Sequence, residues 1–272
     1  MRQYLLLILA LISFNNLLSQ NLNYSGARAQ SLAYSTGASI SLWNISNNPS
    51  TTAFIENTAI GIDAKNDFMI RELSTASLVL LLPFNTYGNY GFSLQHFGYS
   101  SFNETKLAMS FSKRLTNSTS VSLQLSDNIQ KINSDEFKST EHEIGINIGM
   151  FTKLNSKIHL ASYYNFQKNI NDGSISNIQE LALAISWFPI SDLNILMEIS
   201  KQTNTNISLR GGIEYKIVNR LFVRLGMSSE PYSVTIGLGL VFKNLNIDIS
   251  FANNQYLGAS SGISGNYIFR NN

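Results

Sequence analysis

The sequence predicts an all-β protein, a transmembrane antiparallel β-barrel of about 14 strands with an N-terminal hatch or plug segment. Three observations carry that reading. From about residue 54 onward every second residue is apolar, in segments of roughly ten residues that end in Asn, Ser, Thr, Gly, Asp or Pro, which is strand periodicity. Charge is scarce: Lys and Arg number 19 and Asp and Glu 17, 13% of 272 residues and about half the share expected of a soluble chain. Hydrophobic residues reach 44%, yet past the N-terminus no apolar run attains the roughly 18 residues of a membrane-crossing helix.

Residues 1–20 read as an export signal. Arg2 precedes an apolar core from Leu5 to Ile12, then come Ser13, Asn15 and Asn16 and a cleavage region at Ser19 or Gln20. The core spans about eight residues against roughly twenty for a spanning helix, so a cleaved signal is expected rather than an anchor. Residues 21–53 lack the alternation and hold Gly26-Ala27-Arg28-Ala29, a Ser/Ala-rich stretch from Gln30 to Ser41, Trp43 and Asn48-Pro49-Ser50. A 14-strand ring is wider than the eight-strand kind that its own side chains can fill, so its lumen holds a channel or a filler. This segment is the expected hatch or plug, and residues 54–272 the barrel.

Strands are expected near residues 54–65, 71–83, 87–98, 103–114, 118–130, 139–151, 156–167, 177–188, 192–202, 206–217, 220–229, 232–243, 245–255 and 259–269, an even count as a bacterial single-chain barrel requires. One file of each is apolar, as in Leu107, Met109 and Phe111, or Val234, Ile236, Leu238, Leu240 and Phe242. The opposite file is small or polar, as in Ala108, Ser110 and Ser112, or Thr235, Gly237 and Gly239. A soluble sandwich carries Lys and Glu on its outward file; here neither file does, and a lipid-facing apolar file over a polar interior fits better. The longest linkers, Ser126 to Thr140 and Lys168 to Asn177, are expected on the outer side, with tight turns on the periplasmic side at Lys153 to Lys157, Pro189 to Asp192, Val218 to Arg220 and Lys243 to Asn246. Aromatic residues near strand ends, among them Tyr90, Trp187, Tyr215, Tyr232, Phe242, Tyr267 and Phe269, suit interfacial girdles.

The absence of cysteine excludes disulfides and thiolate chemistry, and a net charge of +2 without a basic block gives nucleic acid no footprint. His96, His142 and His159 lack the spacing of a metal site, and no motif marks an enzyme. No cofactor is expected. Inward-facing charges gather late in the chain. Glu198, Arg210, Glu214 and Arg224 fall on three consecutive strands, where they could meet near mid-barrel, with Asp248 two strands further on. A neutralising network that braces the wall is favoured over a selectivity site, because charges removed from water need partners. Lumen-side Gly145, Gly149, Gly212, Gly226, Gly237 and Gly239 would let a plug approach the wall.

Gly26-Ala27-Arg28-Ala29-Gln30-Ser31-Leu32, Trp43 and Asn47-Asn48-Pro49-Ser50 resemble the opening of the PorV/PorQ family of Bacteroidetes outer-membrane proteins. That family is similar to the FadL-type fatty acid transporters, whose hatch carries Asn-Pro-Ala; Ser50 stands where that motif has Ala. Further echoes are Leu94-Gln95-His96-Phe97-Gly98-Tyr99 and the closing Asn266-Tyr267-Ile268-Phe269. The resemblance implies an outer-membrane barrel with a hatch in which Gly26, Arg28, Asn48 and Pro49 are the motif residues. It implies an interaction or accessory role linked to type IX protein secretion, with secretion-system proteins as partners. The alternative is a passive channel for hydrophobic solutes through the lumen and a lateral gap. Outer-membrane lipid is a partner in both. No proline interrupts an expected strand, which weighs against a lateral gap.

Overall fold

The structure, a computed structural model, describes residues 24–84, 87–134, 138–170 and 177–269, so the expected export signal lies outside the described residues. Fourteen strands follow one another: β1 Thr58–Asn66, β2 Ser74–Phe84, β3 Gly88–Gly98, β4 Phe102–Arg114, β5 Thr119–Asn133, β6 Lys138–Lys153 and β7 Ile158–Asn169. The second half comprises β8 Asn177–Ile190, β9 Leu193–Gln202, β10 Ile207–Val218, β11 Leu221–Ser229, β12 Tyr232–Phe242, β13 Leu245–Asn254 and β14 Gly258–Phe269. Each pairs antiparallel with its chain neighbours, and β1 closes on β14 from Thr58↔Phe269 to Asn66↔Ser261. Closure leaves no edge, which hydrocarbon demands because it cannot hydrogen-bond a free N–H or C=O.

Alternation decides which way each residue points. On β8, Leu183 is 55% exposed while Ala182 beside it is 1% exposed. The same holds for Leu107, Met109, Ile148, Ile236 and Leu238, all turned outward, and for Ser110, Asn147, Thr235 and Ser250, all turned in. A water-soluble sheet places these two files the other way round. The exterior is therefore an apolar belt suited to lipid, and the interior is polar.

Several boundaries differ from expectation, among them the start of the second strand, at Ser74 rather than 71, because Arg71–Leu73 forms a 3-10 turn. The first strand begins at Thr58 rather than 54, because Pro49–Phe54 coils into a 3-10 turn with Pro49 at its first position, where a missing N–H costs nothing. The stretch 126–140, expected as a long outer linker, is mostly strand: β5 and β6 run 15 and 16 residues and stay paired to Asn133↔Lys138. Both files turn mostly polar beyond Asp127, with only Ile129 and Ile132 apolar on β5, so periodicity fades there although pairing continues. Pro189, expected in a turn, is near the end of β8, where the register to β9 shifts between Trp187 and Ile190. An irregular ladder tolerates the missing donor.

Within the ring lies the segment from Tyr24 to Asn57. It forms helix α1 (Ala27–Ser31) and 3-10 turns at Leu42–Ile45 and Pro49–Phe54. Short polar side chains satisfy its backbone. Asn44 Nδ2 donates to the carbonyls of Thr36 and Ser39 at 2.9 and 2.6 Å, and Asn48 Nδ2 donates to that of Gly37 at 2.8 Å.

Candidate functional site

The lumen face of the wall, together with the segment inside it, is the candidate site. Strands from around the circumference hold the segment. Ser264 Oγ on β14 accepts from the N–H of Ala27 at 3.0 Å, and Thr235 Oγ1 on β12 donates to the carbonyl of Ser31 at 2.9 Å. Gln124 Nε2 on β5 reaches the carbonyl of Ile45 at 2.6 Å, Asn147 Nδ2 on β6 that of Asn47 at 2.8 Å, and Asn89 Nδ2 on β3 that of Thr52 at 2.7 Å. Two apolar contacts supplement these bonds. Leu42, Trp43 and Ile45 pack on Ala59, Val79 and Leu81 of β1 and β2; Ala38 and Phe54 pack on Phe151, Ala161 and Ala184.

All four motif residues face structural tasks. Gly26 has φ +91°, and a side chain there would enter the Trp43 ring. Arg28 makes a two-pronged ion pair with Glu214, Nη2 to Oε1 at 2.7 Å and Nε to Oε2 at 2.9 Å. Asn48 caps the turn that Pro49 opens, its Oδ1 accepting from Ser50 Oγ at 2.7 Å. Of the expected lumen glycines, Gly149 makes room for Asn48, Gly212 for Leu32 and Ser35, Gly226 for the backbone at Leu32 and Ala33, and Gly237 for Ser31. Gly239 makes room instead for Arg224 and Asp248, and Gly145 lies against Ser126 of the wall.

The expected charge network forms as two clusters rather than one. In the first, Glu198 pairs with Arg210 at 3.1 Å, receives a bond from Tyr163 Oη at 2.8 Å and accepts from the N–H of Gly37 at 2.9 Å. Arg210 also donates to the Tyr24 hydroxyl and lies over its ring. Burial pushes the Tyr24 phenol well above its ordinary pKa, so it stays protonated. The second cluster runs Arg28, Glu214, Arg224, Asp248, with Arg224 reaching Glu214 at 2.6 Å and Asp248 at 2.7 Å. Arg210 and Glu214 are four residues apart on β10, about 13 Å along a strand, which is why one cluster becomes two. Tyr24 and Tyr163 are members that sequence reasoning missed; no spacing signals a phenol reaching across a lumen. Among the described residues no group of three or more His, Cys, Asp or Glu is arranged to hold a metal ion.

On the outer surface, the small side chains Ala64, Ala76 and Ser261 leave a concavity of about 570 Å³ across β14, β1, β2 and β3, bordered by Ile263 and His96.

No protein-family model matches the chain, and no curated protein matches it in sequence. Solved structures match it in fold. The CymD monoaromatic hydrocarbon channel superposes with TM-score 0.63 at 14% identity, covering 93% of this chain and 100% of that one. A Pseudomonas aeruginosa FadL homologue gives 0.64 at 10% identity over 91% and 99% of the two chains. The Ralstonia pickettii toluene transporter TbuX gives 0.63 at 12% identity over 93% and 100%. At such identities the likeness concerns architecture alone: this chain is a closed 14-strand antiparallel barrel that shares its fold with these proteins.

Proposed function

We propose that the protein is an outer-membrane channel through which hydrophobic small molecules pass passively, with residues 24–57 as its plug. The observation that carries the reading is architectural. A 14-strand ring with a segment bonded inside it has, as its structural neighbours, a hydrocarbon channel, a FadL homologue and a toluene transporter. These neighbours support the transport reading over the accessory role in type IX secretion, for which they offer nothing, and none is named as an enzyme.

Most of the lumen wall is Ser, Asn and Gln, which an apolar solute gains little by touching. The route we assign it follows the seam where Leu42, Trp43 and Ile45 meet Ala59, Val79 and Leu81. The exterior concavity borders the same two strands, β1 and β2. The two charge clusters act as braces between plug and wall, since each links a residue of the segment to carboxylates or guanidinium groups of the strands.

The test is uptake of toluene and of a long-chain fatty acid into vesicles carrying the purified protein. Faster entry than into protein-free vesicles is expected, and equal rates overturn the reading. A strain lacking the protein that loses secreted proteins while taking up these solutes normally restores the secretion role.

A further inference from the structure

Charge is distributed unevenly between the two ends of the barrel. At the end where β1 begins and β14 finishes, the cations are Lys113, Arg114, Lys153, Lys157, Lys216, Arg220 and Lys243, and the described carboxylates are Glu56 and Asp192. Both carboxylates are already engaged, Glu56 by Arg114 at 3.0 Å and Asp192 by Lys216 at 2.6 Å. Lys153 turns inward over the Phe54 ring at 4.0 Å. That leaves Lys113, Lys157, Arg220 and Lys243, all exposed, and none pairs with a described carboxylate. The opposite end mixes signs, with Arg71 beside Glu72 and Asp127 against His142.

Position and company say what these four cations face. They lie at the ends or turns of the hairpins β4–β5, β6–β7, β10–β11 and β12–β13, spread along the ring rather than gathered on one flank. Each has an exposed apolar neighbour within three residues: Leu115 at 60%, Leu154 at 60%, Val218 at 57% and Phe242 at 46%. An apolar group reaching the acyl boundary beside a cation at phosphate level is how a surface engages an anionic leaflet. An acidic protein would need the cations on one side, and it would gain nothing from an apolar side chain repeated beside each. We propose that this rim is a docking surface for anionic phospholipid headgroups, which surround the barrel end and fix its depth in the bilayer. The proposal does not depend on what passes through the lumen.

The test titrates full-length protein in neutral detergent with phosphatidylglycerol or with phosphatidylcholine of the same acyl chains, reading bound lipid by native mass spectrometry. The native chain is expected to retain phosphatidylglycerol in preference. Lys113→Gln, Lys157→Gln, Arg220→Gln and Lys243→Gln combined should abolish the preference, at about five-fold per cation removed. Lys131→Gln with Lys138→Gln, which removes two cations at the opposite end, should leave it intact. Heat-dependent gel mobility verifies that each variant is a folded barrel. Equal binding of the two lipids, or a preference that survives the four substitutions, overturns the proposal. So does displacement of the lipid by millimolar glycerol phosphate, which would make the site one for free phosphate. Binding of a polyglutamate peptide without any lipid preference would assign the rim to a protein partner instead.

Discussion

Glu214 contacts two guanidinium groups, Arg28 at 2.7 Å and Arg224 at 2.6 Å, and little of it is exposed. Removing its charge leaves Arg28 with no carboxylate partner and Arg224 with Asp248 alone. Breaking a buried pair costs about 3–5 kcal/mol, because the uncompensated charge stays where water cannot reach it. Glu214→Gln should therefore lower the unfolding free energy of the detergent-solubilised protein, read from urea titration, by that order. Arg28→Gln in the same chain should cost less than the sum of the two single changes, since both remove one interaction. The lumen glycines give a second expectation. A side chain on Gly237 would strike Ser31, and one on Gly226 the backbone at Leu32 and Ala33. Overpacking of this kind costs about 1–3 kcal/mol, and Gly226→Val with Gly237→Val should loosen the segment before the wall. Faster cleavage after Arg28 by added trypsin, in a barrel with unchanged gel mobility, would show it. At this scale the sequence revealed the late-chain residues that carry charge into the lumen and several of the glycines that face it, but not Asp63, Glu104 and Lys106, which are buried in the inward files of β1 and β4. It did not reveal the partners: pairing of Arg210 with Glu198 and of Glu214 with Arg224 depends on register, and Tyr24 reaches Arg210 only because the segment folds back into the ring.

The strands were legible because one physical demand repeats along each of them. A lipid-facing residue must be apolar and its neighbour must suit a polar interior, so periodicity marks a strand wherever it touches both. That demand lapses at two places, and there the reading failed. Beyond Asp127 the β5–β6 hairpin is mostly polar in both files, and its 15- and 16-residue strands exceed the nine to eleven residues that a tilted crossing needs. At Pro49–Phe54 the chain is inside the ring and need not alternate. The same demand predicts the cost of breaking it. Leu238, 41% exposed at the middle of β12, belongs to the belt, and Leu238→Arg should destabilise the barrel by about 2–4 kcal/mol. Tyr256→Arg, in the β13–β14 connection where exposure is 82%, should change stability by less than about 0.5 kcal/mol. Reversible denaturation in phospholipid vesicles measures both.

At the scale of the whole molecule the polarity of an ordinary fold is reversed, so the interior is held together chiefly by hydrogen bonds rather than by oil. The segment from Tyr24 to Asn57 suits that interior. Its only charged residues are Arg28 and Glu56, and its Ser, Thr and Asn side chains satisfy both its own backbone and the wall. The ring does not need it for closure, because β1 and β14 pair along nine residues without its help. The two parts are therefore separable. Without residues 24–56 the ladder should still close, while the polar inward file fills with water. In planar bilayers the shortened protein should open steady ion-conducting channels where the full chain conducts little, and both should show the heat-dependent mobility of a folded barrel. If the shortened chain fails to assemble, the segment is a core the wall requires. If it assembles and conducts no more than the full chain, the segment does not block the lumen and the plug assignment falls.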